Sequence, residues 1–233
     1  MNLLYFDTTQ DWIHVSVGSI DDFSKIKIDA QIIESSPKEA SYRLVEMIQK
    51  VLIQSEIKKP DIIFVPNGPG SFTGIRITVT TARDLAQLWE IPVMGFDTAH
   101  LYLIGIAGNN SQIEMQEPIQ NPDQKSLICL DGKQGKYYTK YFDENSYTET
   151  KDQSPEEISF WLESEEITPN KWYYTGILPS FYPKDAIKIE ATILNLSSIM
   201  QYSFEQMKQS KLNDYTYLTL LPNYIRGTYV DQK

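Results

Sequence analysis

Asn67-Gly68-Pro69-Gly70-Ser71-Phe72-Thr73-Gly74-Ile75-Arg76 follows directly on the apolar run Asp61-Ile62-Ile63-Phe64-Val65-Pro66. The order reads as a buried strand, a tight glycine turn and the start of a helix. Glycine tolerates positive φ and close backbone approach, and Pro69 fixes its own φ between two glycines. Backbone N–H groups at a helix start can hold an anion, so a phosphate loop is the first idea to test. The spacing fails that test: no Gly-Lys-Ser/Thr follows, and no G-x-G-x-x-G is present. The plainer reading is a strand-to-helix turn packed tightly against a neighbour.

Outward from this stretch, the 233 residues suffice for one large core or two lobes. A net charge of −10 argues against a basic groove for RNA, because phosphate contacts need clustered Lys and Arg. Cys129 is the only cysteine, which excludes an internal disulfide and a cysteine metal site. The start, Asn2-Leu3-Leu4-Tyr5-Phe6-Asp7, lacks a basic segment and meets an acid too early for a signal peptide. No apolar run is long enough to span a bilayer, so a cytoplasmic location without membrane contact is expected.

Residues 2–7 read as a buried strand. Trp12, His14 and Ser16 alternate with Ile13, Val15 and Val17, and residues 25–33 give a third strand after the Asp21-Asp22 turn. Short connections favour an antiparallel meander. Ser36-Pro37-Lys38-Glu39 has the form of a capping box opening a helix over 37–55, with Leu44, Val45, Ile48, Val51 and Leu52 at helical spacing. After the glycine turn, Ile75, Ile77 and Val79 alternate like a strand. Over a longer window Ile75, Val79, Ala82, Ala86 and Trp89 keep helical spacing, which selects a helix over 73–89. Residues 91–96 give another strand. The resulting order, β-β-β-α-β-α-β, is that of an RNase H-like lobe of the actin and sugar kinase kind.

Residues 108–125 are polar and rich in turn formers, and read as a connection between a first lobe (1–107) and a reduced second lobe (126–233). The second lobe is expected to hold strands at 126–131, 135–143, 171–175 and 186–190. A helix capped by Ser154-Pro155-Glu156-Glu157 should run to about 164, and a last helix should cover 192–211.

Gly68-Pro69-Gly70-Ser71-Phe72-Thr73-Gly74-Ile75-Arg76 closely resembles the G-P-G-S-F-T-G-[LV]-R stretch of the TsaB (YeaZ) family. Pro222-Asn223-Tyr224-Ile225-Arg226 is similar to its P-x-Y-[LI]-R ending, and Leu130 to Tyr138 resembles its D-A-R-x-G-E-V-Y hairpin. The resemblance covers the first hundred residues and two islands beyond. It implies a two-lobed RNase H/actin-like α/β fold and agrees with helix for 73–89. It further implies a non-catalytic subunit that binds a TsaD-like catalytic partner, with a TsaE-like ATPase completing an assembly that makes N6-threonylcarbamoyladenosine on tRNA. The tRNA would be met only through that complex, and the chain alone would form a homodimer. No cofactor is then required by this chain, and ATP and a divalent metal belong to the complex.

Docking is implied for the helical face of the first lobe, where Tyr42, Met47, Arg76, Thr80 and Arg83 are expected to project outward. The bland alternative for Leu44, Val51, Val79 and Ala86 on the same helices is burial against their own sheet. Some positions depart from the family pattern: Thr78, Thr80 and Asp84 replace small residues, and Ala40 stands at a histidine place. These changes bear on helix packing and partner contact.

The rival reading is an actin-fold nucleotide-dependent enzyme, a kinase or ATPase acting on a small molecule. Asp7, Thr8 and Thr9 would then form one phosphate turn and Asp131 and Gly132 a second, whereas ordinary hairpin turns would use the same residues for backbone geometry. His14 and His100 are far apart and lack a histidine four residues away, so each reads as a packed residue. No zinc pattern, G-x-S-x-G elbow or Cys–His nucleophile supports a peptidase.

Overall fold

In the computed structural model, the structure describes residues 1–21, 25–35, 37–108, 125–143, 146–209 and 215–225. The first strands are β1 (Asn2–Asp7), β2 (Ile13–Ile20) and β3 (Ile26–Glu34). They pair antiparallel in sequence order, as the short turns require. A single 3-10 turn, Pro37–Glu39, leads into α1 (Ala40–Gln54). The α-helix proper thus begins three residues later than its expected start, and Ser36, expected as its cap, lies outside the described residues. Strand β4 (Ile62–Gly68) then pairs parallel with β1, α2 spans Phe72–Trp89, and β5 (Val93–Asp97) pairs parallel with β4. The five-stranded sheet has the order β3-β2-β1-β4-β5.

Helix α3 (Thr98–Ala107) follows at once, capped by the Asp97 carboxylate, which accepts the His100 N–H at 2.9 Å. Sequence periodicity missed it because residues 98–106 are all buried. A helix covered on every side has no polar face to set a period.

The second sheet opens with β6 (Ser126–Asp131) and β7 (Tyr137–Asp143), an antiparallel hairpin. Short β8 (Ser146–Tyr147) and β9 (Lys151–Gln153) both pair with β7. Helix α4 (Pro155–Ser164) carries the expected capping box: Ser154 Oγ accepts the Glu157 N–H, and the Glu157 carboxylate accepts the Ser154 N–H. Strands β10 (Lys171–Tyr174) and β11 (Ile187–Lys188) run parallel to β6, and α5 (Leu196–Gln209) follows. The expected end of that helix at 210–211 lies outside the described residues.

The path β11-β10-β6-β7-β9 repeats β5-β4-β1-β2-β3, with α4 in the place of α1 and α5 in the place of α3. This doubled pattern is the RNase H/actin-like architecture. Only α2 lacks a counterpart: among the described residues, 175–186 contain no helix.

Alternation along the strands splits the core. Leu4, Phe6, Val15, Ile63 and Val65 face α1 and α2, whereas Leu3, Tyr5, Ile62 and Phe64 face the interior between the sheets. Helices α3 and α5 join that interior cluster with Ile128, Leu130 and Tyr138 of the second sheet. A third cluster holds α4 through Ile158 and Trp161 to Leu127 and Cys129.

Candidate functional site

The glycine turn is a packing device. Gly68 has φ +123, and its peptide bond to Pro69 is cis. The Ser71 N–H, a donor that an anion site would need, instead reaches the Thr9 carbonyl at 2.7 Å. Ser71 caps α2 by accepting the Gly74 N–H. A Cβ at Gly74 would collide with the Thr8 carbonyl, and one at Gly70 would lie 2.5 Å from the Thr9 carbonyl. Only glycine lets the α2 start approach residues 8 and 9 this closely.

Asp7 ends β1 and is fully buried. Its Oδ1 accepts the Thr9 N–H and the Thr9 hydroxyl, each at 2.7 Å. Its Oδ2 accepts the Tyr102 hydroxyl at 2.5 Å and the Trp12 indole N–H at 3.3 Å. No Lys or Arg among the described residues pairs with it. Burial raises its pKa, and the bonds from Tyr102, Thr9 and Trp12 oppose that rise. Thr8 is equally engaged: its N–H donates to Thr78 Oγ1 at 3.0 Å and its hydroxyl to the Gly74 carbonyl at 2.8 Å. Asp7, Thr8 and Thr9 therefore form a closed network of hydrogen bonds within the protein. The departure at Thr78 has a use here, since its hydroxyl satisfies a buried N–H.

The second turn is built differently. The Asp131 N–H donates to Thr175 Oγ1 at 2.9 Å, and Thr175 donates in turn to Gln10 Oε1 at 2.8 Å. Lys133 and Gln134 both have positive φ, and Asp131 accepts the Lys133 N–H at 2.8 Å. The Lys133 ammonium bridges Asp131 at 2.8 Å and Asp11 at 3.5 Å, tying the two hairpin turns together. Gly132 donates its N–H to the Lys136 carbonyl, a hairpin bond. Between the turns lies a cleft of about 540 Å³, lined by Gln10, Asp11, Trp12, Asp131, Lys133 and Thr175 among others. Its lining also holds Lys188, which pairs with Glu190 at 3.1 Å, and does not include Asp7.

Of the residues expected on the docking face, Tyr42 is 63% exposed, Arg76 and Thr80 are exposed, and Arg83 is half-buried. Met47 is a correction: it is fully buried with Leu44, Ile48 and Val51, on the core side of α1. The burial reading holds for Leu44, Val51, Val79 and Ala86, which pack against their own sheet. Val45, expected on the apolar face with Leu44 and Ile48, is instead exposed, and sequence reasoning missed Ile53 and Leu88, also exposed on the same two helices. Tyr42, Val45 and Ile53 fall on one helical stripe, a second apolar period beside the core one.

Arg76 is not free. Its Nε donates to Tyr224 Oη at 3.1 Å, and its guanidinium lies 3.9 Å from the Phe72 ring centroid. The glycine stretch and the Pro222–Ile225 island thus meet in space, although 148 positions separate Arg76 from Tyr224. Asn223 N–H bonds the Asn67 carbonyl at 2.7 Å, Asn67 Nδ2 bonds the Leu221 carbonyl, and Leu220 enters the α1–α2 core. Arg226 lies outside the described residues.

Both histidines are packed. Burial lowers the His14 pKa to about 3; burial and nearby Lys140 lower that of His100 to about 4. Cys129 is buried and its thiol is pushed up to about 12, which leaves it unreactive. Among the described residues, no three His, Cys, Asp or Glu side chains form a metal-binding group, and no helix is long and apolar enough to cross a membrane.

The family model of TsaD, tRNA N6-adenosine threonylcarbamoyltransferase, matches residues 32–159, more than half of the chain. The chain belongs to this family. Similar curated proteins include two TsaB members and the tRNA N6-adenosine threonylcarbamoyltransferase of Debaryomyces hansenii, which is 30% identical over 90 residues, 38% of this chain and 21% of the relative. The tRNA threonylcarbamoyladenosine biosynthesis protein TsaB of Buchnera aphidicola is 35% identical over 98 residues, 41% of this chain and 44% of the relative. The Escherichia coli TsaB is 39% identical over 67 residues, 28% of this chain and 29% of the relative. The sequence match thus spans less than half the length of either. The fold match spans nearly everything: YeaZ from Pseudomonas aeruginosa aligns with a TM-score of 0.66 at 17% identity, over 96% of this chain and 99% of that one. Likeness to TsaB (YeaZ) proteins and the RNase H/actin-like fold stand together on these matches.

Proposed function

We propose that this chain is a non-catalytic subunit in the biosynthesis of tRNA N6-threonylcarbamoyladenosine, acting by binding a TsaD-like catalytic partner. The names of its TsaB relatives supply the pathway. The observation that carries the non-catalytic role is the sealed Asp7 network. The carboxylate where an actin-like ATPase would engage phosphate chemistry is buried, bonded to Thr9, Trp12 and Tyr102, and walled off by the glycine turn. The α1–α2 face is the docking surface, because Tyr42, Val45, Ile53 and Leu88 are exposed apolar groups on rigid helices. A homodimer of the free chain would use the same face. A TsaE-like ATPase would bring the ATP and divalent metal of the assembly, and tRNA would be held by the partners, in keeping with the −10 charge.

The test is tRNA threonylcarbamoylation in a reconstituted mixture of the same organism's TsaD-like, TsaE-like and adenylate-forming proteins. Modified nucleoside should form only when this chain is added, and a stoichiometric complex with the TsaD-like protein should be recovered. Equal modification without the chain would overturn the proposal.

A further inference from the structure

Outside the cleft, the two sheets meet at a buried charge pair. Asp97 ends β5, and one of its carboxylate oxygens caps α3 through the His100 N–H. The other, Oδ2, is turned to the second sheet. It accepts the Thr150 hydroxyl at 3.1 Å and lies 3.2 Å from the Lys140 ammonium of β7. Among the described residues Lys140 is the only buried Lys or Arg, 5% exposed, and Asp97 is its only carboxylate. Two rings lie beside the ammonium, Tyr147 with its centroid at 4.8 Å and Phe142 at 5.8 Å. The His100 ring of α3 packs edge-on against both. Neither Asp97 nor Lys140 lines the cleft, where the Lys133–Asp11 contact is half-exposed on both sides and contributes little.

We propose that Asp97 and Lys140 form a charge latch between the two sheets, which stay closed around residue 140 only while the Asp97 carboxylate is in place. An apolar side chain at 140 would let burial alone close this joint. A lysine makes closure conditional, because a buried ammonium stripped of its carboxylate is strongly unfavourable. The sheets then relieve it by parting, so that water reaches Lys140. Removing both charges takes away the condition, since a buried ion pair is replaced by apolar groups at little or no cost. The latch does not depend on what the chain binds.

Spin labels on Gln49→Cys of α1 and Glu163→Cys of α4, helices on the outer faces of the two sheets, report the separation of the sheets. Both positions are exposed, and the native Cys129 is buried. Double electron–electron resonance should give one narrow distance in the parent. Asp97→Asn retains a good cap for α3 but strands the ammonium, and should lengthen and broaden that distance. Adding Lys140→Met should restore it. In the unlabelled chain, acetic anhydride should acylate Lys140 at least about tenfold more slowly than the exposed lysines, and Asp97→Asn should bring it close to their rate. A broad distance in the parent, an unchanged one in Asp97→Asn, or a failure of Lys140→Met to restore it would overturn the proposal. If Asp97→Asn does not fold, Thr150→Val decides: it removes the hydroxyl that orients Asp97 and should speed acylation of Lys140, and an unchanged rate would overturn the latch.

Discussion

Asp7 and Asp131 occupy equivalent places, each ending the central strand of its sheet at the hairpin turn, yet they live in different environments. Asp7 is dry, holds four donors and has no counter-ion. Asp131 is partly open to the cleft and holds an ammonium. What separates them is the segment arriving from the neighbouring parallel strand. In the first lobe that segment brings three glycines and a helix; in the second it brings Thr175 and Gly176. Gly176 has φ +72, and a Cβ there would lie 2.5 Å from Asp131 Oδ2. One motif position is thus a structural bracket in one lobe and a cleft residue in the other, and its packing makes the choice.

The contrast is broken most severely at the carboxylates themselves. Asp7→Ala should cost about 3–5 kcal/mol, because it strands the buried donors of Thr9, Trp12 and Tyr102. Asp131→Ala should cost about 1 kcal/mol. Urea unfolding of both variants measures the gap, and equal losses would erase the distinction. The glycines come next. Gly74→Ala should lose about 3 kcal/mol to the clash with the Thr8 carbonyl. Gly135→Ala should lose about 1 kcal/mol: it meets open space, but its φ is +74.

Acid provides the third comparison. His14 pairs in register with Asp7 and keeps a folded pKa of about 3. Below about pH 6.5 the unfolded chain takes up a proton that the folded one refuses until about pH 3. Stability from this site is complete above that window and falls with pH by up to about 1.4 kcal/mol per unit. Asp7, with its raised pKa, acts in the opposite sense and softens the slope. His14→Phe should flatten the acid limb of a stability–pH curve. Smaller still, Thr78→Val should cost about 1–2 kcal/mol by orphaning the Thr8 N–H. Lys133→Ala, at a half-exposed pair, should cost no more than about 0.5 kcal/mol.

Much of this molecule was legible in the chain. Alternation at 13–17, the apolar run within 126–131, the Ser154–Glu157 box and the long period of 73–89 are local signals, and each gave its element within a few residues. Met47 was misplaced although its spacing, three residues after Leu44 and four before Val51, sets it on the stripe that faces the sheet. Helix α3 was silent because it is buried all round. The partnership of Arg76 with Tyr224 was out of reach, since no local rule joins residues 148 positions apart.

By itself, then, the sequence determined the longer strands, the helix capped at Ser154, the glycine turn and the family resemblance, because hydrophobic period and backbone preference act over a few residues. Tertiary structure alone decided that Asp7 is sealed while Asp131 lines a cleft. It also decided that the 215–225 tail completes the glycine turn and that Lys140 of the second sheet meets Asp97 of the first. Those outcomes depend on which distant segments fill the space around a side chain, and burial, not spacing, sets the chemistry of a carboxylate.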